Sequence, residues 1–470
     1  MKNKKIYIGI VVLLLLTNFS TLSAKGMTAN DDSEILLINE YSGKEYIVTN
    51  YVNNDDEVSD IIFGVEELED TNGELFLNLE LNDEIVLGID KINNEIPVKA
   101  IPMADVYVDD DNTEGPWDGT YKHPYQHIQE GIDAAEEGDV VYVFSGKYIE
   151  NVVIEKSVTL KGEDRDNTVI DGDLVTDTVW IESTYVSFSG FKVINSIEDD
   201  FSAGINIWFS TNISISNCIL INNDASIRLR NSDRCDIYNC IIRNNFGPVY
   251  VMSSSNININ NCYTKDNEDW WNDNWAVMCG IVITSTSDIS ENILISNCNI
   301  DSDFGPGIYL GDRSANNVTI KNNIISNIKY AGGIVVCGLP NEQYSDISIC
   351  NNEIKNCPTN WSWPAGIYIS CCIGGITIKH NNILSNKKGA YIHLSSGIKF
   401  IENNFIDNEK SAGFSYLEDQ SNTWARNYWD EQILHGNPKI ILGILYLNYK
   451  LLPWLDFDWN PAKKPYNIIV

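Results

Sequence analysis

Two segments of this 470-residue chain gather the residue types that recognise sugars. Asn267-Glu-Asp-Trp-Trp-Asn-Asp-Asn-Trp275 and Asn360-Trp-Ser-Trp-Pro364 set Trp270, Trp271, Trp275, Trp361 and Trp363 among aspartate and asparagine. An indole face ringed by carboxylates and amides is a stacking surface for a pyranose with partners for its hydroxyls. A third segment, Asp109-Asp-Asp-Asn-Thr-Glu-Gly115, places Asp109, Asp111 and Thr113 as alternate oxygen ligands in a Gly-ended turn, a pattern that suits Ca2+. Arg228 and Arg230 suit a carboxylate, although exposed arginines more often pair with neighbours such as Asp224. The five histidines are scattered, and no Cys/His spacing suits zinc.

Such residues need a scaffold, and the chain supplies one by repetition. Between Ile215 and Trp429 a phrase recurs nine times: an apolar residue, two others, a key Cys or Asn, then one more residue and usually an apolar one. The key positions are Cys218, Cys240, Cys262, Cys298, Asn323, Asn352, Asn381, Asn403 and Asn427, spaced by 22, 22, 36, 25, 29, 29, 22 and 24 residues. That period fits solenoid coils built of short strands. Alternating β-branched residues separated by Asn, Ser, Asp and Gly predict strands and turns, with no helical stripe. Each period holds a second strand of the type Gly307-Ile-Tyr-Leu310. Alternation sends its Ile and Leu inward and places Asn206, Arg228, Tyr250, Val282, Tyr309, Val335, Tyr368 and His393 in an outward ladder. Tyr309 and Tyr368 thereby join the tryptophans as binding candidates.

The predicted fold is all-β, a right-handed parallel β-helix. Coils about 4.8 Å apart stack the key positions into four cysteines followed by five asparagines, whose amides donate to one neighbouring coil and accept from the other. Both tryptophan segments leave the coil at one corner, about three coil steps or roughly 14 Å apart, a span for an extended glycan. A glycosidase needs two carboxylates on one face, and the outward ladder does not supply them.

The remaining segments set the organisation. Lys2, Lys4 and Lys5, the apolar run Ile6 to Leu16, and Ser23 and Ala24 read as a signal peptide over residues 1–24, with retention as an uncleaved anchor the alternative. Residues 27–103 read as a small acidic β domain with a hairpin at Asn72-Gly73, residues 104–430 as the β-helix, and residues 431–470 as a C-terminal cap. The stretch Tyr125 to Glu137, apolar at Ile128, Ile132 and Ala135, predicts an amphipathic helix that caps the first coil. With 66 acidic against 32 basic residues and a net charge of -34, nucleic acid is excluded as a partner, and an anionic polysaccharide is disfavoured unless calcium bridges it. The same charge favours a soluble monomer with no membrane span after signal cleavage. Among eleven cysteines the four ladder members are expected buried and unbridged, and Cys337 and Cys371 are a candidate bridge between coils.

Tyr107-Val-Asp-Asp-Asp, the run His123-Pro-Tyr-Gln-His-Ile-Gln-Glu-Gly-Ile-Asp-Ala-Ala, Gly146-Lys-Tyr-Ile-Glu-Asn-Val, Lys161-Gly-Glu-Asp and Asn427-Tyr-Trp resemble the pectin-lyase-like superfamily. More narrowly they resemble its exported, NosD-like, copper-associated type. The resemblance spans Asp105 to Val470 and implies the fold, while the superfamily holds lyases, glycosidases and adhesins alike. The catalytic motifs of polygalacturonase-like relatives are absent from this sequence. Pectate-lyase-like relatives hold calcium in an aspartate cluster beside a basic residue, and Asp303, Asp312 and Arg313 approach that pattern. Copper, implied by the narrower resemblance, meets no His or Met cluster. The first expectation is a secreted or cell-surface, non-catalytic β-helix that binds glycan or cell-envelope material. Its rivals are a polysaccharide lyase or glycoside hydrolase, and a structural surface protein.

Overall fold

The structure, a computed structural model, describes residues 103–470 apart from 198–201, 266–279, 286–287, 302–304, 312–314, 329, 339–343, 359–362, 418–419, 432–437 and 448–449. It also describes the backbone of seven strands between Ser23 and Pro102, which pair antiparallel in groups of four and three. Residues 1–22, most of the expected signal segment, lie outside the described residues. Met1–Ala104 and Asp105–Val470 are separate compact units.

The second unit is a parallel β-solenoid whose coils each contribute three strands. One coil runs Ala225–Arg230, Asp233–Tyr238 and Ile241–Arg243, which we assign to faces A, B and C. Each strand pairs in parallel with its counterpart one coil on, as Ile227 with Val249, Ile237 with Ile259 and Ile242 with Thr264. Face C is a sheet of twelve such strands, from Gly146–Ile149 to Tyr428–Trp429. The coil can turn sharply from B to C because the residue before each key position adopts a left-handed conformation. Asn217, Asn239, Asn261, Asn297, Asn322 and Asn351 have φ between 50° and 57°. Asparagine enters this region at low cost, whereas His380, Glu402 and Arg426 occupy it in the last coils with the strain of longer side chains.

Inside, stacked isoleucines and valines fill the core, and the key positions form the ladder expected. Cys218, Cys240, Cys262 and Cys298 are buried and unbridged. From Asn352 onward each amide oxygen takes two bonds from the preceding coil. Asn352 Oδ1 accepts from the main-chain N–H and the Nδ2 of Asn323, both at 3.0 Å, and Asn381 Oδ1 accepts likewise from Asn352 at 2.9 and 3.0 Å. The second amide hydrogen of Asn352 goes to the Ile320 carbonyl at 2.9 Å, so the buried side chain is saturated. The chain of amides ends on the buried Asp458, whose carboxylate accepts from Asn427 N and Nδ2 and from Trp429 Nε1.

A short helix, Ile128–Ala134, buries Ile128, Gly131 and Ile132 against the strands Val106–Val108 and Val140–Val143. Glu150 accepts its first two free N–H groups at 2.8 and 3.0 Å. At the other end Lys439–Leu447 continues face A and turns back as Lys450–Asp458 in an antiparallel hairpin. Two expectations are corrected by register. Tyr391, not His393, stands over Tyr368 in the outward ladder, because the strand begins at Lys388 and His393 aligns with Ser370. Cys337 aligns with Ser370 rather than Cys371, and no disulfide joins the described cysteines.

Candidate functional site

The sequence candidates separate into three groups. Trp270, Trp271, Trp275, Trp361, Asp303, Asp312 and Arg313 lie outside the described residues. Tyr309 and Tyr368 point out of face A, as alternation requires, yet they are only 5% and 9% exposed. They belong to a second apolar cluster with Val282, Val335 and Ala365 on the outside of the sheet. Trp363 packs on that cluster half-buried, its ring 5.5 Å from Tyr309, so here it serves as cover rather than as an open platform. In the acidic turn, Asp109 Oδ1 accepts from the Asp111 N–H at 3.1 Å, and Asn112 Nδ2 donates to the Pro124 carbonyl at 2.7 Å. Burial, followed by the neighbouring carboxylates, holds the Asp109 carboxyl above its ordinary pKa although the Asp111 N–H opposes this. Among the described residues no three of His, Cys, Asp or Glu converge as metal ligands there or elsewhere.

The earlier coils of face A carry a different constellation. Register puts Trp180, Asn206, Arg228 and Tyr250 in one outward row, and Trp208 and Arg230 in the row beside it. Trp180 and Trp208 are diagonal neighbours on adjacent coils and stack at 5.8 Å with 27° between their planes. The Arg230 guanidinium lies 4.9 Å over the Trp208 ring. Phe209, in the turn from A to B with φ of 45°, meets Trp208 edge-on at 5.3 Å and is 61% exposed. It opens onto a pocket of about 490 Å³ lined also by Asn231, Asp233, Ser253, Ser255 and Asp288. Asp233 is positioned by Arg234 at 2.9 Å and by Asn256 Nδ2 at 2.6 Å. An aromatic strip therefore leads into a cavity walled by hydroxyl, amide and carboxylate groups, an arrangement able to stack a sugar ring and bind its hydroxyls.

Sequence reasoning missed Trp180, Trp208 and Phe209. The signal is in the sequence: the outward ladder that begins at Asn206 continues one coil earlier to Trp180. Arg228 was expected at the surface and is instead buried.

The fold defines the class, a parallel β-solenoid, and this aromatic and polar surface is its candidate site. Residues 203–342 match the family model described as right handed beta helix region. No curated protein matches the sequence significantly. Among solved structures the chain is similar to an exopolygalacturonase from Thermotoga maritima, at 11% identity over 75% of this chain and 94% of that one, TM-score 0.46. It is also similar to a surface adhesin of Streptococcus pneumoniae, at 13% identity over 76% of this chain and 100% of that one, TM-score 0.44. A mannuronan C-5 epimerase module from Azotobacter vinelandii matches at 13% identity over 68% and 92%, TM-score 0.43.

Proposed function

We propose that this protein is a secreted or cell-surface β-solenoid, of the exported type its motifs between Tyr107 and Trp429 resemble, that binds glycan or envelope material without transforming it. The reading rests on one observation: the stacked Trp180 and Trp208 run through the exposed Phe209 into a polar pocket. Trp270, Trp271, Trp275 and Trp361 are proposed as further glycan-binding residues. Replacing Trp208 with alanine is expected to weaken retention on a glycan array about two- to tenfold, because loss of a stacked ring costs about 0.5–1.5 kcal/mol. The melting temperature should stay within a few degrees, since Trp208 lies outside the core cluster. Equal retention by the variant and the parent would remove the reading.

A second reading, a carbohydrate-active enzyme, draws on Asp233 and Asp288 lining the same pocket, as an acid and a base or nucleophile would. It predicts reducing ends or unsaturated products from a polysaccharide, lost on Asp233→Asn. Their absence across a polysaccharide panel leaves the binding reading in place.

A further inference from the structure

The hairpin that closes the solenoid departs from the rest of the surface. In Lys439–Leu447 alternation turns Ile441 and Leu445 into the core and sends Ile440, Leu442, Ile444 and Tyr446 outward. Register sets Phe457, Leu455, Pro453 and Leu451 of Lys450–Asp458 opposite them, so the outer side of both strands is apolar throughout. The second strand goes further. Leu451-Leu-Pro-Trp-Leu455 is exposed at every position, hence on both sides of the strand, with Leu451 62% and Trp454 50% open. Single apolar residues in water are ordinary, whereas a contiguous ribbon of them marks an interaction surface.

Charge indicates what covers it. Acidic residues outnumber basic ones 66 to 32 in the chain, yet the exposed charged side chains between 438 and 470 are Lys450, Lys463 and Lys464. The carboxylates of that stretch are withdrawn. Asp458 is buried beneath Asn427 and Trp429, and Asp456 is half-buried and accepts from the Tyr416 hydroxyl at 3.1 Å. A second copy docked here would bring like charges together, and a rigid face would cover one side of Leu451 to Leu455 while leaving the other in water. A lipid surface surrounds both sides, takes Leu and Trp at headgroup level and offers phosphate to lysine.

We propose that this hairpin docks on an anionic phospholipid surface, with Leu451 to Leu455 lodged at the boundary of headgroups and acyl chains and Lys450 at a lipid phosphate. Insertion stops at that depth. Among the described residues the second strand pairs with Lys439–Leu447 on one edge and, at Asp458 alone, with Trp424, so the main-chain groups of its other edge need water or headgroup partners. Pro453 removes one N–H from the strand and discourages a further strand from adding to it. The net charge of -34 opposes approach to such a surface, but at 0.1 M salt it is screened within about 10 Å, so the lysines nearest the lipid set the sign there.

The test uses the full chain at about 0.1 M salt with vesicles of phosphatidylcholine, alone or mixed with phosphatidylglycerol, whose acyl chains are brominated to quench nearby tryptophan. The apolar run Ile6 to Leu16 can itself hold lipid, so quenching, which reports on the hairpin, decides. Quenching of the parent should exceed that of W454F, and the excess should be larger on the anionic vesicles. The L451S/L455S protein should lose that excess, with affinity for the anionic vesicles reduced at least about tenfold, and K450E should lose at least about fivefold on them alone. L174S, which changes a leucine of similar exposure elsewhere on the solenoid, should match the parent. If the serine variant fails to fold, W454F and K450E carry the comparison. Equal quenching of the parent and W454F overturns the proposal, as does an excess indifferent to phosphatidylglycerol. A parent that is oligomeric without lipid and becomes monomeric in L451S/L455S assigns the ribbon to a second copy instead.

Discussion

The two halves of the key ladder solve one packing problem in two ways. From Cys218 to Cys298 the position holds thiols, which fill the space as small apolar groups and offer weak bonds to nearby carbonyls, as from Cys262 Sγ to Asn260 at 3.4 Å. From Asn323 to Asn427 it holds amides, each bonded to the coils before and after it. A thiol makes no strong demand on its neighbour. An amide does, so the second half must be continuous and must end on an acceptor, which Asp458 provides. The halves meet where the Cys298 N–H donates to Asn323 Oδ1 at 2.9 Å.

The largest test of this contrast is Asn352→Leu. It leaves the main-chain N–H and one Nδ2 hydrogen of Asn323 without an acceptor inside the core, at about 1–3 kcal/mol each. A loss of about 3–5 kcal/mol in denaturant unfolding is expected, and a loss under 1 kcal/mol would mean the ladder is not continuous. Asp458→Asn comes next. The present carboxylate accepts from Arg426 N, Asn427 N and Nδ2, Trp429 Nε1 and Asn460 N, and an amide would turn an N–H2 toward some of these donors. About 2–3 kcal/mol should be lost, concentrated in the last coils and visible as faster amide exchange there.

Alkali should act through the buried thiols. Burial pushes the thiols of Cys235 and Cys357 up to about 12. In Cys240, Cys262 and Cys298 the shift is also upward, caused first by hydrogen bonding to the neighbouring thiol and then by burial. A raised thiol pKa means that the folded state favours the neutral form. That contribution is complete below about pH 9, the unfolded value, and shrinks as pH rises from there, by about 1.4 kcal/mol per pH unit for each thiol. Melting temperature should fall steeply above pH 9, and Cys→Val changes in the ladder should blunt the fall. An equal decline in the Cys→Val protein would assign it to other groups.

The smallest expected effect is Cys240→Ala. It removes one sulfur from the stack without stranding a strong donor, so about 1–2 kcal/mol should be lost through a small cavity. A cost matching that of Asn352→Leu would erase the distinction between the halves.

Some of this was legible in the sequence. The coil period, the key ladder and the inward isoleucines follow from strand alternation and recurrence, and they are found where expected. The Asn before each key Cys was visible as a repeated letter, but its role became plain only with φ near 50° in a turn. Conversely, Tyr309 and Tyr368 point outward as alternation demands and are nevertheless covered.

The sequence by itself determined the direction in which each strand residue points, because alternation is a local property of extended backbone. It also determined which residues stack through the core, because the recurring phrase sets the coil length. Only the tertiary structure decided which outward residues are covered and which coil faces which. That depends on turns of unequal length, which set the register that moved Tyr391 into the ladder, and on packing outside the sheet, which buried Arg228 and left Phe209 open. The meeting of Trp180 with Trp208, at positions 28 residues apart, is a product of that register and of nothing local to either residue.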